Sequence, residues 1–449
     1  MTSTPGARRR SPRTTAALLS CTIVAATLGL SGCGTSGGSS GEPTVTVWSW
    51  RSQDAPVWQT VQQDLNKQGV DVRINFRAIS PTSYDSVLQT AMNGGAGPDV
   101  FYDRAGEGTM KYAAAKMAAP LDGSVDTSTI SNTALAPTRY QGRTYGVPFA
   151  VQTMELYYNT QLLSDNGVAV PQTWQQLLSA MGQLKSKGVT PMYAMGVQQW
   201  LLALQIDAIG ASTLDDATAQ AITAKQADYT TPQFVNTLAA FQQLAPYLEP
   251  NWQAVGSAGN EQETQFALGK AAFIIDGGFD TATINQVDPS LKYGQMLVPS
   301  PDGKQPREDW YADGDISLNA SIRSSADAAA AKKVVAFTAT KAFGDAFTQI
   351  AGEISPVQGV QVPSSYPLSV QAAQWYQTQS VNPVFGIRSP MDTPPVSSTD
   401  IRTKSATTDP GIFTAEQNIA VPLLEGKITP QQAAAQIDSQ LTWYFGKKN

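Results

Sequence analysis

The sequence predicts an α/β protein with more than one core, on three observations. Between Thr44 and Tyr102, strand-like and helix-like segments alternate at the spacing of βαβ units around a parallel sheet. The chain has 449 residues, enough for two domains. Its composition, 42% hydrophobic and 15% charged, is that of a folded chain and not of a disordered one.

Thr44 to Trp50 is β-branched and apolar, a first strand, and a helix follows from about Val57 to Asn66. Val70 to Phe76 alternates apolar and polar residues, a second strand. Tyr84, Val87, Leu88 and Ala91 have helical spacing up to Met92, and Gly94-Gly95-Ala96-Gly97-Pro98 ends that helix. Asp99 to Tyr102 is a third strand. Tyr145 to Tyr158 reads as strands crossing between domains. Thr173-x-x-Gln176 is a capping box opening a helix to about Ser186. Leu201 to Ile209, Pro232 to Leu244 and Glu261 to Leu268 read as helices. Ala271 to Asp276 is a buried strand ending in Gly277-Gly278, and Asp315 to Asn319 is another. One helix is expected over Ala326 to Ala342, and two more over Ala415 to Leu424 and Thr429 to Tyr444. Pro299 to Pro301 and Pro390 to Pro395 are loops.

The N-terminus predicts export. Arg8, Arg9, Arg10 and Arg13 precede an apolar run from Thr14 to Gly32, the pattern of a secretory signal. Leu30-Ser31-Gly32-Cys33 resembles the bacterial lipobox, whose cysteine is acylated, and Gly34 to Gly41 reads as a flexible tether. Arg9-Arg10 hints at twin-arginine export, but Ser11-Pro12-Arg13 completes that signal badly. Four of the 30 basic residues fall in the signal, leaving 26 against 36 acidic ones, a formal charge of −10. Such a chain is a poor match for nucleic acid, which is held through cationic contacts to phosphate. Cys21 lies in the signal and Cys33 at the lipobox, so no disulfide, thiol nucleophile or thiolate metal site is expected. The chain has no histidine, which excludes Ser-His-Asp and Cys-His catalysis and imidazole zinc sites. Carboxylate-pair chemistry survives that exclusion.

Five segments carry a family resemblance. They are Gly97-Pro98-Asp99-Val100-Phe101; Gly142 to Phe149 with Leu156-Tyr157-Tyr158-Asn159; Pro171-Gln172-Thr173-Trp174 with Leu177; Phe266 to Phe273 with Gly277-Gly278-Phe279; and Asp313 to Asn319. In this order, behind a lipobox, they resemble the solute-binding proteins of bacterial ABC importers, in the family 1 sugar-binding group related to maltose-binding protein. The resemblance covers roughly residues 44–345. Two features depart from it: Phe279 stands where Trp is common, and Met154-Glu155 inside the crossing has no evident role.

The resemblance implies a two-lobe periplasmic-binding-protein fold, type II-like, each lobe a sheet flanked by helices, with a ligand cleft between the lobes that closes by hinge motion. The expected division is 1–32 signal; 33–43 tether; 44–150 and 316–355 lobe 1; 151–315 and 356–449 lobe 2. It implies capture of a mono- or oligosaccharide and delivery to ABC permease subunits by a monomer anchored to the bacterial cell membrane through lipidated Cys33. No cofactor, metal, nucleic acid or catalysis is expected.

A sugar needs planar aromatics for its ring face and charged or polar groups for its hydroxyl pairs. Ligands of open α/β sheets bind beyond the carboxyl ends of strands. That places Trp50 and Arg51 after the first strand, and Asp103 and Arg104 after the third, among the candidates. Alternation puts Trp48 and Trp50 on one side of the strand, so one of them can be core. Trp200 opens a helix in the second lobe, as stacking platform or core residue. Gly277 and Gly278 permit close backbone approach beside Phe279. Trp310, Asp313 and Asp315 flank the return crossing. Trp174 and Trp443 read as structural, and Trp58, Trp252 and Trp375 have no assignable role. Asp313-Gly-Asp315 lacks the further oxygen ligands of a calcium loop. Two rivals remain: the same fold binding a polyol, phosphodiester or peptide, and a secreted glycosidase using Asp103 with Asp313 or Asp315.

Overall fold

The computed structural model describes residues 42–257, 259–378 and 409–446. The expected signal, Cys33, most of the tether and the Pro390 to Pro395 loop lie outside them. Among the described residues, beside a short hairpin of Arg139–Tyr140 with Arg143–Thr144, nine strands build two larger sheets: β1 (Thr44–Ser49), β2 (Arg73–Ala78), β3 (Val100–Asp103), β4 (Gly146–Pro148), β5 (Val151–Asn159), β6 (Phe273–Gly277), β7 (Tyr293–Met296), β8 (Asp309–Ala312) and β9 (Asp315–Leu318). The first sheet runs β2-β1-β3-β9-β4; β1 is parallel to β2 and β3, and β9 is antiparallel to β3 and β4. In the second sheet β5 is antiparallel to each of its neighbours, β6, β7 and β8.

Each sheet has its own core, which gives the α/β two-lobe architecture expected. The first core gathers Val45, Val47, Trp58, Phe101, Ile316 and the helices Ser325–Thr338 and Lys341–Ala351. The second gathers Leu156, Phe273, Ile275 and the helices Gln199–Thr213, Ile412–Leu424 and Pro430–Gln440. Every residue from Leu201 to Thr213 is buried, as expected of a helix that is apolar all round. Among the described residues no helix is long and apolar enough to cross a membrane.

Several elements differ from expectation for local reasons. β2 starts at Arg73 instead of Val70 because Val70 N still bonds Leu65 O at 3.0 Å, and Val72 N bonds Asn66 Oδ1 at 3.1 Å. The single helix expected over Ala326 to Ala342 is two, because Thr340 caps a new helix and accepts from Phe343 N at 3.3 Å. Thr173 caps its helix, but Gln176 reaches back to Gln172 N at 2.7 Å; the reciprocal box forms at Thr429 and Gln432. The strands β7 and β8 have no counterpart in the sequence reading.

The chain passes between the sheets three times, and the passages lie side by side. The first, Phe149-Ala150, joins β4 to β5; the second, Asp313-Gly314, joins β8 to β9. Phe149 N bonds Gly314 O at 3.4 Å and Asp313 N bonds Ala150 O at 3.2 Å. The third follows the helix Lys341–Ala351, which ends at Gly352 in the left-handed region (φ 73°), and there Val151 N bonds Ile354 O at 2.8 Å. Gly314 is sterically required: a Cβ would stand 2.5 Å from Asp103 O and 2.9 Å from the Trp50 ring.

Candidate functional site

The carboxyl ends of β1 and β3 and the start of β9 bring together six of the expected residues: Trp50, Arg51, Asp103, Arg104, Asp313 and Asp315. Their roles separate by depth. Arg51 is buried and fully engaged. Its Nε donates to Asp54 Oδ2 at 3.0 Å, its Nη1 to Asp313 Oδ2 at 3.0 Å, and its Nη2 to Glu353 Oε1. Phe149 and Phe347 lie against the guanidinium. Gln152 Nε2 donates to Glu353 Oε2 at 2.6 Å, and Tyr102 Oη donates to Asp54 Oδ2 at 3.0 Å. Burial pushes the Glu353 carboxyl up to about 7, with the Arg51 charge working against the shift. Phe149, Asp313 and Glu353 sit on the first, second and third crossings respectively. Arg51, expected to meet a ligand, instead joins all three.

Asp103 and Asp315 face each other directly in the β3–β9 register, and both are buried. Thr109 Oγ1 lies 2.5 Å from Asp315 Oδ2 and 3.3 Å from Asp103 Oδ1. Burial and then the Asp315 charge raise the Asp103 carboxyl well above its ordinary range. Gly146 makes room for it: a Cβ there would fall 1.8 Å from Asp315 Oδ1. These two carboxylates face each other and Thr109 rather than an open cleft, which differs from their expected contact with sugar or with a glycosidic bond.

Trp50 is 8% exposed. It meets Tyr84 and Tyr102 edge-on, with centroids 5.3 and 5.7 Å away. β1 ends at Ser49, so strand alternation does not extend to Trp50, and Trp48 stacks with Arg77 across the sheet. The outer face of Trp50 carries the Arg104 guanidinium, 3.8 Å from the ring centroid. Arg104, with its side chain 41% exposed and Nη1 3.9 Å from Asp313 Oδ1, is the outermost donor of this edge. The next residue, Ala105, is buried in the second lobe's core, so the lobes touch here.

On the second lobe, Trp200 and Phe279 form a half-buried pair with ring centroids 6.0 Å apart. Trp200 Nε1 donates to Gln198 Oε1 at 2.7 Å. The Phe279 ring lies flat on Gly277, where a Cβ would stand 1.9 Å from Phe279 Cε1; at Gly278 it would stand 3.6 Å from Thr153 Oγ1. The glycines thus seat the ring. A small cavity of about 10 Å³ lies between this turn and Glu353, lined by polar Gln152, Thr153 and Gln295 and by apolar Val151, Ile354 and Ala372. Trp310 differs from expectation: it is buried, edge-on to Tyr376 at 4.7 Å, in a small core with Val151, Ile354 and Ala372.

Asp54, Gln152 and Glu353 escaped the sequence reading. Gln152 follows a recognised crossing motif, but nothing local marks Glu353. Glu155, with no evident role in the sequence, is a wholly buried strand residue whose Oε2 accepts from Tyr157 Oη at 3.3 Å.

The sequence profile of the bacterial extracellular solute-binding protein family matches residues 49–343. A maltotriose-binding protein of Pyrococcus abyssi is 23% identical over 276 residues, 59% of this chain and 56% of the relative. A multiple sugar-binding protein of Streptococcus mutans is 24% identical over 238 residues, 50% of this chain and 54% of the relative. The chain thus spans little more than half the length of these curated relatives. The solved structure of a chitin oligosaccharide binding protein superposes with a TM-score of 0.71 at 19% identity, covering 90% of this chain and 99% of the other. At that identity the likeness establishes the fold.

Proposed function

Because the chain belongs to the bacterial extracellular solute-binding protein family, we propose that it captures a mono- or oligosaccharide between its lobes and delivers it to ABC permease subunits. The observation that carries this reading is the half-buried Trp200–Phe279 pair seated on Gly277. Two aromatic rings with open edges suit a sugar's apolar face. Arg104, held over Trp50 with an exposed guanidinium, offers the fork of donors that bridges vicinal hydroxyls. The names of the relatives point to the same ligand class. Trp200, Phe279, Gly277, Gly278 and Arg104 form the contact set of this proposal. Trp50, Arg51 and Asp313 support it from beneath.

No covalent step is part of this function. The buried Asp103–Asp315 pair, with Thr109 between its oxygens, serves the β3–β9 seam. Cys33 anchors the exported protein to the outer face of the cell membrane by its acyl chain, and the protein acts as a monomer. Trp200 gives the test a direct probe. Adding maltotriose or a chitin oligosaccharide should change tryptophan fluorescence saturably in the wild type, and Trp200→Ala should abolish most of the change and weaken binding. Wild-type affinity in that variant removes Trp200 from the site. For the anchor, metabolic acyl labelling that persists in Cys33→Ala contradicts lipidation there.

A further inference from the structure

Glu263, Asp276 and Asp280 lie outside the contact set just described. Glu263 belongs to the helix Glu261–Ala267, Asp276 to β6, and Asp280 to the turn that follows Phe279. All three are more than nine-tenths buried. One carboxylate oxygen from each lies within 4.8 Å of the others. Among the described residues, no lysine or arginine pairs with any of them. Three buried like charges without a counter-ion are unstable as they stand, so the cluster needs protons or a cation.

Two further atoms favour the cation. Gln262 is wholly buried, and its amide reaches the cluster, with Nε2 donating to Asp276 Oδ2 at 2.9 Å. The amide oxygen, Gln262 Oε1, has no hydrogen-bond partner, and neither has the buried Glu263 Oε2. A neutral amide oxygen and a spare carboxylate oxygen, both buried beside the same three acids, are hard oxygen donors lacking an acceptor role. We propose that Glu263, Asp276 and Asp280 bind one hard divalent cation, calcium in preference to magnesium, beneath the turn that carries Phe279.

The donor set selects the ion: magnesium gives up its water reluctantly, whereas calcium accepts a cage made wholly of protein oxygens, as a buried site requires. Asp280 is adjacent to Phe279, so the ion also fixes the turn on which the aromatic pair is built.

The test uses the purified protein stripped with chelator and free of sugar. Calorimetric titration with calcium chloride should show one saturable site, and melting temperature should rise with it. Magnesium chloride should bind at least tenfold more weakly. Asp280→Asn and Glu263→Gln should each lose the calcium response. Both remove like-charge repulsion, so the calcium-free variants should melt no lower than the stripped wild type. Absence of calcium binding by the wild type overturns the proposal, as does an unchanged calcium response in both variants. Neither result bears on sugar binding, which is measured separately.

Discussion

Arg51 carries the charge around which Asp54, Asp313 and Glu353 are arranged, and its removal strands them. Breaking a buried ion network by deleting one partner costs roughly 3–5 kcal/mol. Arg51→Met, similar in length, should lower unfolding free energy in urea by that order, with a larger loss at pH 8 than at pH 5, because the stranded carboxylates can protonate in acid. An equal loss at both pH values contradicts the ionic account. Glu155 gives a second titration. Burial, then neighbouring Asp309, pushes its carboxyl from the ordinary 4.5 up to about 7. The folded state therefore holds a proton that the unfolded chain releases. This group's contribution is full below about pH 4.5 and is lost as pH rises through 7. It is on the order of 3 kcal/mol at most. Glu155→Gln should lose less stability between pH 5 and pH 8 than the wild type does. Neither role was legible in the sequence. Two of the three acids that bond Arg51, Asp313 and Glu353, lie 262 and 302 residues away. An acid inside a strand looks the same from sequence whether it faces water or a core.

At the scale of elements, β1, β2, β3, β6 and β9 were legible because apolar alternation and glycine breaks are local signals, while β7 and β8 were not. The split of the Ala326–Ala342 helix at Thr340 was not, since a threonine inside an alanine-rich run gives no warning that it caps a new helix. Which tryptophans are buried was also not legible. Trp50 and Trp310 are buried by Tyr84, Tyr102 and Tyr376, residues distant in sequence, while Trp200 is half-buried. The β6 turn can be tested directly. In Gly277→Ala the new Cβ must push the Phe279 ring off its seat, a shift that a side chain can make without unfolding. Sugar affinity should fall about two- to tenfold, the worth of one aromatic contact, with far-UV circular dichroism unchanged. Gly314→Ala should behave oppositely. Its Cβ meets the Asp103 backbone oxygen, which cannot swing aside, so stability should fall by roughly 1–3 kcal/mol. Normal stability in Gly314→Ala contradicts the packing described for the second crossing.

For the whole molecule, three crossings held side by side by Arg51 make a narrow connection between two lobes with separate cores. Such a connection lets the lobes rotate, and a ligand touching both favours the closed arrangement through its differential affinity. Small-angle scattering should show a smaller radius of gyration at saturating sugar than without it, and an unchanged profile contradicts hinge closure. The two-lobe plan was legible from the order of five weak motifs. The ligand was not, because no local pattern encodes how side chains from distant segments are spaced. The claim that most needs measurement is therefore carbohydrate binding itself. Isothermal titration calorimetry of the purified protein against mono- and oligosaccharides, including maltotriose and chitin oligosaccharides, measures it directly. The account predicts saturable one-to-one binding of at least one saccharide, with the sugar recovered intact. Failure of every saccharide, with saturable binding of a polyol, phosphodiester or peptide under the same conditions, contradicts it.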